Sequence, residues 1–159
     1  MKSKNNNYIV LLFSIIAAQL AGAIGSYFTF PNIDSWYSLL HKPTFSPPNW
    51  LFGPVWTLLY TLMGIAAWLV WNQHKKKDTS AAITMYGFQL ALNVLWSIVF
   101  FGWHNIAGGL VVIIILWLLI VATTIQFWKL SRAAAYLLLP YLAWVSFASI
   151  LNWALWTLN

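Results

Sequence analysis

The sequence predicts an all-α integral membrane protein, a single domain over residues 1–159 built as a bundle of five transmembrane helices. Hydrophobic residues make up 62% of the chain and charged residues only 6%, against roughly 25% charged residues in a soluble domain. Five apolar runs divide the chain, and the period-two alternation of a membrane β-barrel is absent from stretches such as 111–121. A basic surface for nucleic acid has little room here, so the expected partners are membrane lipids.

Each apolar run is long enough to cross the bilayer as a helix. The runs cover about residues 8–30, 50–71, 81–103, 106–128 and 134–158. At 1.5 Å per residue, helices of these lengths exceed the roughly 30 Å hydrocarbon core of a membrane. A cleaved signal peptide is the alternative for the first run, because Lys2 and Lys4 precede it and Ala21-Gly22-Ala23 resembles a cleavage site. The length of the run disfavours cleavage, since such segments have apolar cores of 7 to 15 residues.

The only long connection, residues 31–49, predicts a lid over one end of the bundle. It holds four of the six prolines of the chain, which exclude a long helix there. Its aromatic residues favour packing onto the protein over exposure to water. The residues assigned to the lid are Trp36, Tyr37, Pro43, Pro47 and Pro48.

The distribution of positive charge predicts the orientation in the membrane, because cytoplasmic connections are enriched in Lys and Arg. One side carries seven of these residues: Lys2, Lys4, Lys75, Lys76, Lys77, Lys129 and Arg132. The other side carries only Lys42. We therefore expect the N-terminus inside, the C-terminus and the lid outside, and a location in a bacterial cytoplasmic membrane.

No apolar run contains an ionisable Asp, Glu, Lys, Arg or His residue. Proton pumps, ion-coupled transporters and voltage sensors place such groups inside the membrane, so the sequence argues against these classes. Paired carboxylates for acid–base catalysis are also missing, since Asp34 and Asp78 fall in connections on opposite sides. The chain has no cysteine and its three histidines lie in connections, so no metal site is expected.

Aromatic and neutral polar side chains share one helical face in each of three runs. These faces are Trp56 and Tyr60 in the second run, Gln89, Asn93, Trp96 and Phe100 in the third, and Tyr141, Trp144, Ala148, Leu151 and Asn152 in the fifth. If the faces converge, they enclose a cavity for a large, flat, apolar ligand. Two structural explanations compete. Membrane Asn and Gln residues often hydrogen-bond neighbouring helices, and tryptophans at helix ends anchor a protein at the interface.

Three stretches carry a family resemblance. From Trp36 the chain reads WYSLLHKPTFSPPNWLFGPVWTLLYTLMG, the third run contains LNVLWSIVFF, and the fifth contains LLLPYLAWVSFASILNWALWTLN. Together with the five-span plan, these resemble a bacterial member of the TspO/MBR family, the translocator or tryptophan-rich sensory proteins. The resemblance covers nearly the whole chain.

The resemblance implies a five-helix bundle, commonly dimeric, that binds porphyrins such as protoporphyrin IX or haem, and synthetic benzodiazepine- or isoquinoline-type ligands. It implies no required cofactor. The implied ligand contacts are Trp56, Tyr60, Asn93, Trp96, Phe100, Trp144, Ala148 and Leu151. High-affinity sterol binding through the motif of animal members is not expected, because residues 151–156 lack its Tyr and its basic residue.

Three functions remain open from the sequence. The leading hypothesis is a membrane-embedded porphyrin-binding sensor or carrier. The second, suggested by the resemblance, is an enzyme that degrades porphyrin in light, with Trp56 and Trp144 as the candidate catalytic residues. The third is a structural or regulatory partner of another membrane protein. A homodimer is expected in addition, through Gly87 and Ala91, a pair of small residues spaced for close helix contact.

Overall fold

The computed structural model describes the backbone of residues 2–159 and the side chains of residues 7–159, and this part of the chain is all-α. The α-helices are α1 (Lys2–Ile33), α2 (Trp36–Leu39), α3 (Phe52–Trp71), α4 (Ser80–Ser97), α5 (Ile106–Leu130) and α6 (Arg132–Leu158). A 3₁₀ turn, Asn49–Leu51, precedes α3, and a π-helical turn, Ile98–Gly102, continues α4. The side chains of Lys2 and Lys4, used above for orientation, lie outside the described residues.

Within the described residues, five helical stretches are long and apolar enough to cross a membrane. They are Asn7–Ile33, Asn49–Trp71, Ser80–Gly102, Ile106–Leu130 and Arg132–Leu158. The predicted fold class, an all-α membrane protein with five spanning helices, is therefore confirmed. The spanning helices form a closed ring in the order α1, α3, α6, α5, α4 and back to α1.

The first helix ends later than the apolar pattern predicts, at Ile33 instead of near Phe30, and so includes Pro31. Side chains bind carbonyl groups at this helix end. Thr29 donates to the Gly25 carbonyl, and the Asn32 amide donates to the carbonyl of Phe28, each at 2.9 Å. Ser35 Oγ donates to the Pro31 carbonyl at 2.7 Å and so gives a partner to one of the carbonyl groups that the helix end leaves unsatisfied.

A direct approach of two backbones holds α1 against α3. A Cβ atom on Gly64 of α3 would lie 2.6 Å from the Cα atom of Ile15 and 2.9 Å from its nitrogen. Only glycine allows this spacing, because the atoms it would strike belong to backbone and cannot rotate away. Nearer the start of α1, the Trp68 indole donates to the Asn7 carbonyl at 3.0 Å. The N-terminal half of α1 is thus held against the C-terminal half of α3.

We predict that Gly64→Ala destabilises the bundle by about 1–3 kcal/mol, the usual cost of overpacking a close contact. The measurement is the denaturation midpoint of the purified protein in detergent. Gly87→Ala is the matched control: Gly87 also lies inside a helix, but its added Cβ would meet nothing within 4 Å. Equal midpoints for the two variants would contradict the assigned contact.

Candidate functional site

A cavity of about 620 Å³ lies between α1, α3 and α4. Four of the eight expected ligand contacts line it: Trp56, Tyr60, Asn93 and Trp96. The cavity also reaches Tyr27 and Phe30 of α1, whose side chains are 78% and 60% exposed. Its opening is therefore on the outer surface of the bundle, which in a membrane faces lipid.

A buried polar network forms the back of this cavity. The Tyr60 hydroxyl donates to Asn93 Oδ1 at 2.6 Å, and Asn93 Nδ2 donates to the Tyr141 hydroxyl at 3.0 Å. The three residues come from α3, α4 and α6 and are each at most 4% exposed. A buried amide is costly unless it is hydrogen-bonded, so this network fixes the three helices relative to one another.

The first helix supplies a wall that the sequence analysis missed. Gln19 Nε2 donates to the Thr57 carbonyl at 2.9 Å and to Thr61 Oγ1 at 3.0 Å, which joins α1 to α3 beside the cavity. Gly22 lies against the Tyr60 ring, where an added Cβ would approach ring carbons to 2.6 Å. The sequence holds one signal here, the small residues Ala18 and Gly22 four positions apart, a spacing that favours close helix contact but does not indicate a cavity wall.

Three other expected contacts lie in a second, nearly filled space. Phe100, Ala148 and Leu151 line a cavity of about 20 Å³ on the other side of Trp96. Trp96, Phe52 and Phe101 line both spaces and separate them. The remaining expected contact, Trp144, lines neither, and its ring packs 6.2 Å from Phe52 and 5.6 Å from Phe147.

The other two amides of the predicted faces do not reach the larger cavity. Asn152 instead accepts a hydrogen bond from the Trp96 indole at 3.1 Å and donates to the Ile106 carbonyl at 2.9 Å, so it orients the ring that separates the two spaces. Gln89 is fully buried, and its side-chain amide has no hydrogen-bond partner among residues 7–159.

The π-helical turn after α4 carries two consecutive aromatic rings that are both buried. The Trp103 nitrogen donates to the Ile98 carbonyl at 2.8 Å, five residues back, so this turn holds more residues than an α-helical one. Phe100 and Phe101 are 2% and 3% exposed, and their rings meet edge to face at 4.8 Å.

Tyr37 of the expected lid lines the smaller space. The side chain is 2% exposed, and its ring lies 5.7 Å from Phe101 and 6.4 Å from Phe52. Burial raises the pKa of the Tyr37 phenol, against a smaller lowering by its hydrogen bond to Ser46, so the phenol is neutral at pH 7. The Lys42 ammonium lies 4.3 Å from the centre of the same ring.

Contacts at Trp36 and at His41 hold this connection on the bundle. The Trp36 ring stacks on His104 at 4.6 Å, and His104 Nε2 donates to Asn32 Oδ1 at 2.8 Å. In the middle of the connection, the Asn159 side chain exchanges two hydrogen bonds with the backbone of His41, at 2.9 and 3.0 Å.

The three lid prolines shape the path from His41 to the start of α3. Pro43 accepts from the Ser46 nitrogen and Pro48 from the Leu51 nitrogen, each at 3.0 Å. Pro47 lies between these two turns, in a stretch without regular secondary structure. The segment therefore changes direction at two tight turns, each of which begins with a proline.

Comparison with known proteins relates this arrangement to one family. The model of the TspO/MBR family matches residues 14–157. The chain is 46% identical to the Tryptophan-rich protein TspO of Archaeoglobus fulgidus, over 96% of this chain and 99% of that protein. It is 38% identical to the human Translocator protein, over 91% and 86% respectively. It is 40% identical to the Tryptophan-rich sensory protein of Cereibacter sphaeroides, over 79% and 78%. The chain is thus a multi-pass integral membrane protein and belongs to the TspO/MBR family.

Proposed function

We propose that this protein is a membrane-embedded sensor or carrier that binds porphyrins such as protoporphyrin IX or haem. The observation that carries the proposal is the 620 Å³ cavity within the spanning helices. Its volume falls in the range of about 300–1,000 Å³ that is typical of small-molecule sites. Synthetic ligands of the benzodiazepine or isoquinoline type should use the same cavity.

The chemistry of the walls supports a flat aromatic ligand. The Trp56 ring lies 5.5 Å from Tyr60 at an interplanar angle of 30°, and Trp96 faces the same cavity. Aromatic pairs in offset or edge-to-face geometry gain about 0.5–1.5 kcal/mol beyond area burial. The names of two relatives, a sensory protein and a translocator protein, support ligand handling in a membrane.

The proposal keeps the membrane orientation inferred from the sequence and the lid at the outer end of the bundle. Lys77 Nζ donates to the Lys129 carbonyl at 2.8 Å, so the connections after α3 and α5 meet at one end of the bundle, as the charge distribution requires. We infer that this end is cytoplasmic. The residues around Tyr37 then act as an outer lid, and their withdrawal joins the two spaces on either side of Trp96.

Gly53→Leu should weaken protoporphyrin binding roughly 5- to 150-fold, the equivalent of about 1–3 kcal/mol of overpacking. Gly53 lines the cavity, and an added Cβ would meet nothing within 4 Å, so the larger side chain projects into the ligand space. Tryptophan fluorescence quenching in detergent measures the affinity.

Gly53→Ala is the control for this variant. Any side chain at the position before Pro54 disfavours the helical backbone conformation, and the alanine and leucine variants share this effect. The alanine variant adds only one methyl group, so the comparison isolates the size of the side chain. Wild-type affinity in the leucine variant would contradict the proposed cavity.

The second candidate function is light-dependent degradation of the bound porphyrin. The observation that favours it is the position of Trp56, whose indole lines the cavity directly beside the Tyr60 phenol. An indole in contact with an excited porphyrin can donate an electron to it or react with the oxygen species it forms.

If this chemistry occurs, Trp56→Phe should lower the yield of light-driven product far more than the affinity, because phenyl preserves packing but is a poorer electron donor. Trp144→Phe is the matched control, since that indole lines neither cavity. Product formation in light and in darkness is measured alongside affinity. If yield and affinity fall in parallel in the Trp56 variant, the result contradicts a chemical role of the indole and supports binding only.

We also propose a homodimer formed through the outer face of α4. Gly87 and Ala91 are exposed there, and the space around Gly87 is open. Small residues allow helices from two copies to approach closely.

Changing both residues to leucine should therefore shift the protein toward monomer, as measured by light scattering in detergent and by crosslinking in lipid. An unchanged oligomeric state would place the interface elsewhere.

A further inference from the structure

Two serine hydroxyls at the cavity differ from most hydroxyls in this bundle. Helical Ser and Thr side chains here commonly donate to the carbonyl four residues earlier, as Ser149 does to Val145 at 2.7 Å. Ser26 of α1 and Ser97 of α4 make no side-chain hydrogen bond with any other residue in the described part of the chain. Both line the 620 Å³ cavity.

Ser97 is the more deeply placed of the two. It is 6% exposed, and its hydroxyl oxygen would lie 3.0 Å from a Cβ on Gly25, so α1 passes close beside it. Ser26 follows Gly25 directly and reaches the same cavity. A hydroxyl that faces a cavity without a partner in the protein can form a hydrogen bond with a ligand group there.

Most other polar groups of the cavity already form hydrogen bonds within the protein. Asn93 uses both ends of its amide, the Tyr60 hydroxyl donates to Asn93, and Gln19 Nε2 makes two bonds to α3. The groups left for a ligand are the two serine hydroxyls, the Trp56 indole N–H, Gln19 Oε1 and, at the exposed opening, the Tyr27 hydroxyl. Of these five residues, only Ser97 is buried. None of the residues lining the cavity is Asp, Glu, Lys, Arg or His. An ionised ligand group would find no opposite charge in this low-dielectric site, where burial of a charge is costly.

We propose that Ser26 and Ser97 form a polar binding point for an uncharged oxygen-bearing group of the ligand, such as an ester, a carbonyl or a hydroxyl. The cavity then selects neutral, membrane-dissolved molecules over their ionised carboxylates. This inference rests on the proposed porphyrin function and specifies which chemical form of the ligand occupies the cavity. The opening beside Tyr27 and Phe30 admits such molecules directly from lipid.

Three porphyrins in lipid nanodiscs at pH 8 test the inference: protoporphyrin IX as the diacid, its dimethyl ester, and octaethylporphyrin, which has no oxygen. Affinities are corrected for partition into protein-free discs. The ester should bind at least as tightly as the diacid. Ser97→Ala should weaken binding of the ester about 2- to 12-fold, the equivalent of one neutral hydrogen bond, and leave octaethylporphyrin unchanged. Ser26→Ala should act in the same direction.

Ser149→Ala is the matched control, because its hydroxyl is bonded within α6 and lines neither cavity. It should leave all three affinities unchanged. Tighter binding of the diacid than of the ester by tenfold or more would overturn the inference while leaving porphyrin binding intact. Equal weakening of all three ligands by Ser97→Ala would also overturn it, since that result indicates a packing role. If none of the three binds the wild-type protein, the proposed function fails, and this inference fails with it.

Discussion

The hydrogen bonds of the Asn93 amide are the interaction on which the site depends. In hydrocarbon, an amide without partners is costly, and here Tyr60 and Tyr141 supply them from two other helices. These bonds set the rotation of α3, α4 and α6 together. Trp56 lies one turn before Tyr60 and Trp96 one turn after Asn93, so the same bonds decide where the aromatic walls stand.

The cavity itself results from uneven packing of α1. This helix lies directly on α3 at Gly64, and Gln19 and Gly22 continue the contact as far as Tyr60. Beyond that point α1 meets α4 at Ser97 and the π-helical turn at Gly102, while many of its residues line open space. Of the five spans, α1 has the smallest buried share, which leaves its outer half in contact with lipid on one side and the cavity on the other. A bundle with uniform contact along α1 would have no comparable space.

Much of the fold, and part of the site, could be predicted from the sequence. Hydropathy locates five spans because a bilayer demands long uncharged helices, and period 3.6 finds the inner faces of α3 and α4. Periodicity does not reveal how far a helix is rotated relative to its neighbours, which is why Trp144 shares a face with Tyr141 in sequence yet lines neither cavity. Gln19, Ser26 and Ser97 were missed because their importance depends on which partners they lack, and contacts between helices decide that.

The π-helical turn at Ile98–Gly102 makes the length of this segment as important as its composition. A π turn amounts to one residue inserted into an α-helix and absorbed there. Deleting one residue would restore regular helix, and the chain before and after the turn would keep nearly its present orientation because the extra residue is absorbed there. The loss would fall inside the turn, where only one of the rings of Phe100 and Phe101 would still face inward. A one-residue gap at this segment should therefore cost packing against Trp36 and Tyr37 and leave the start of α5 in place.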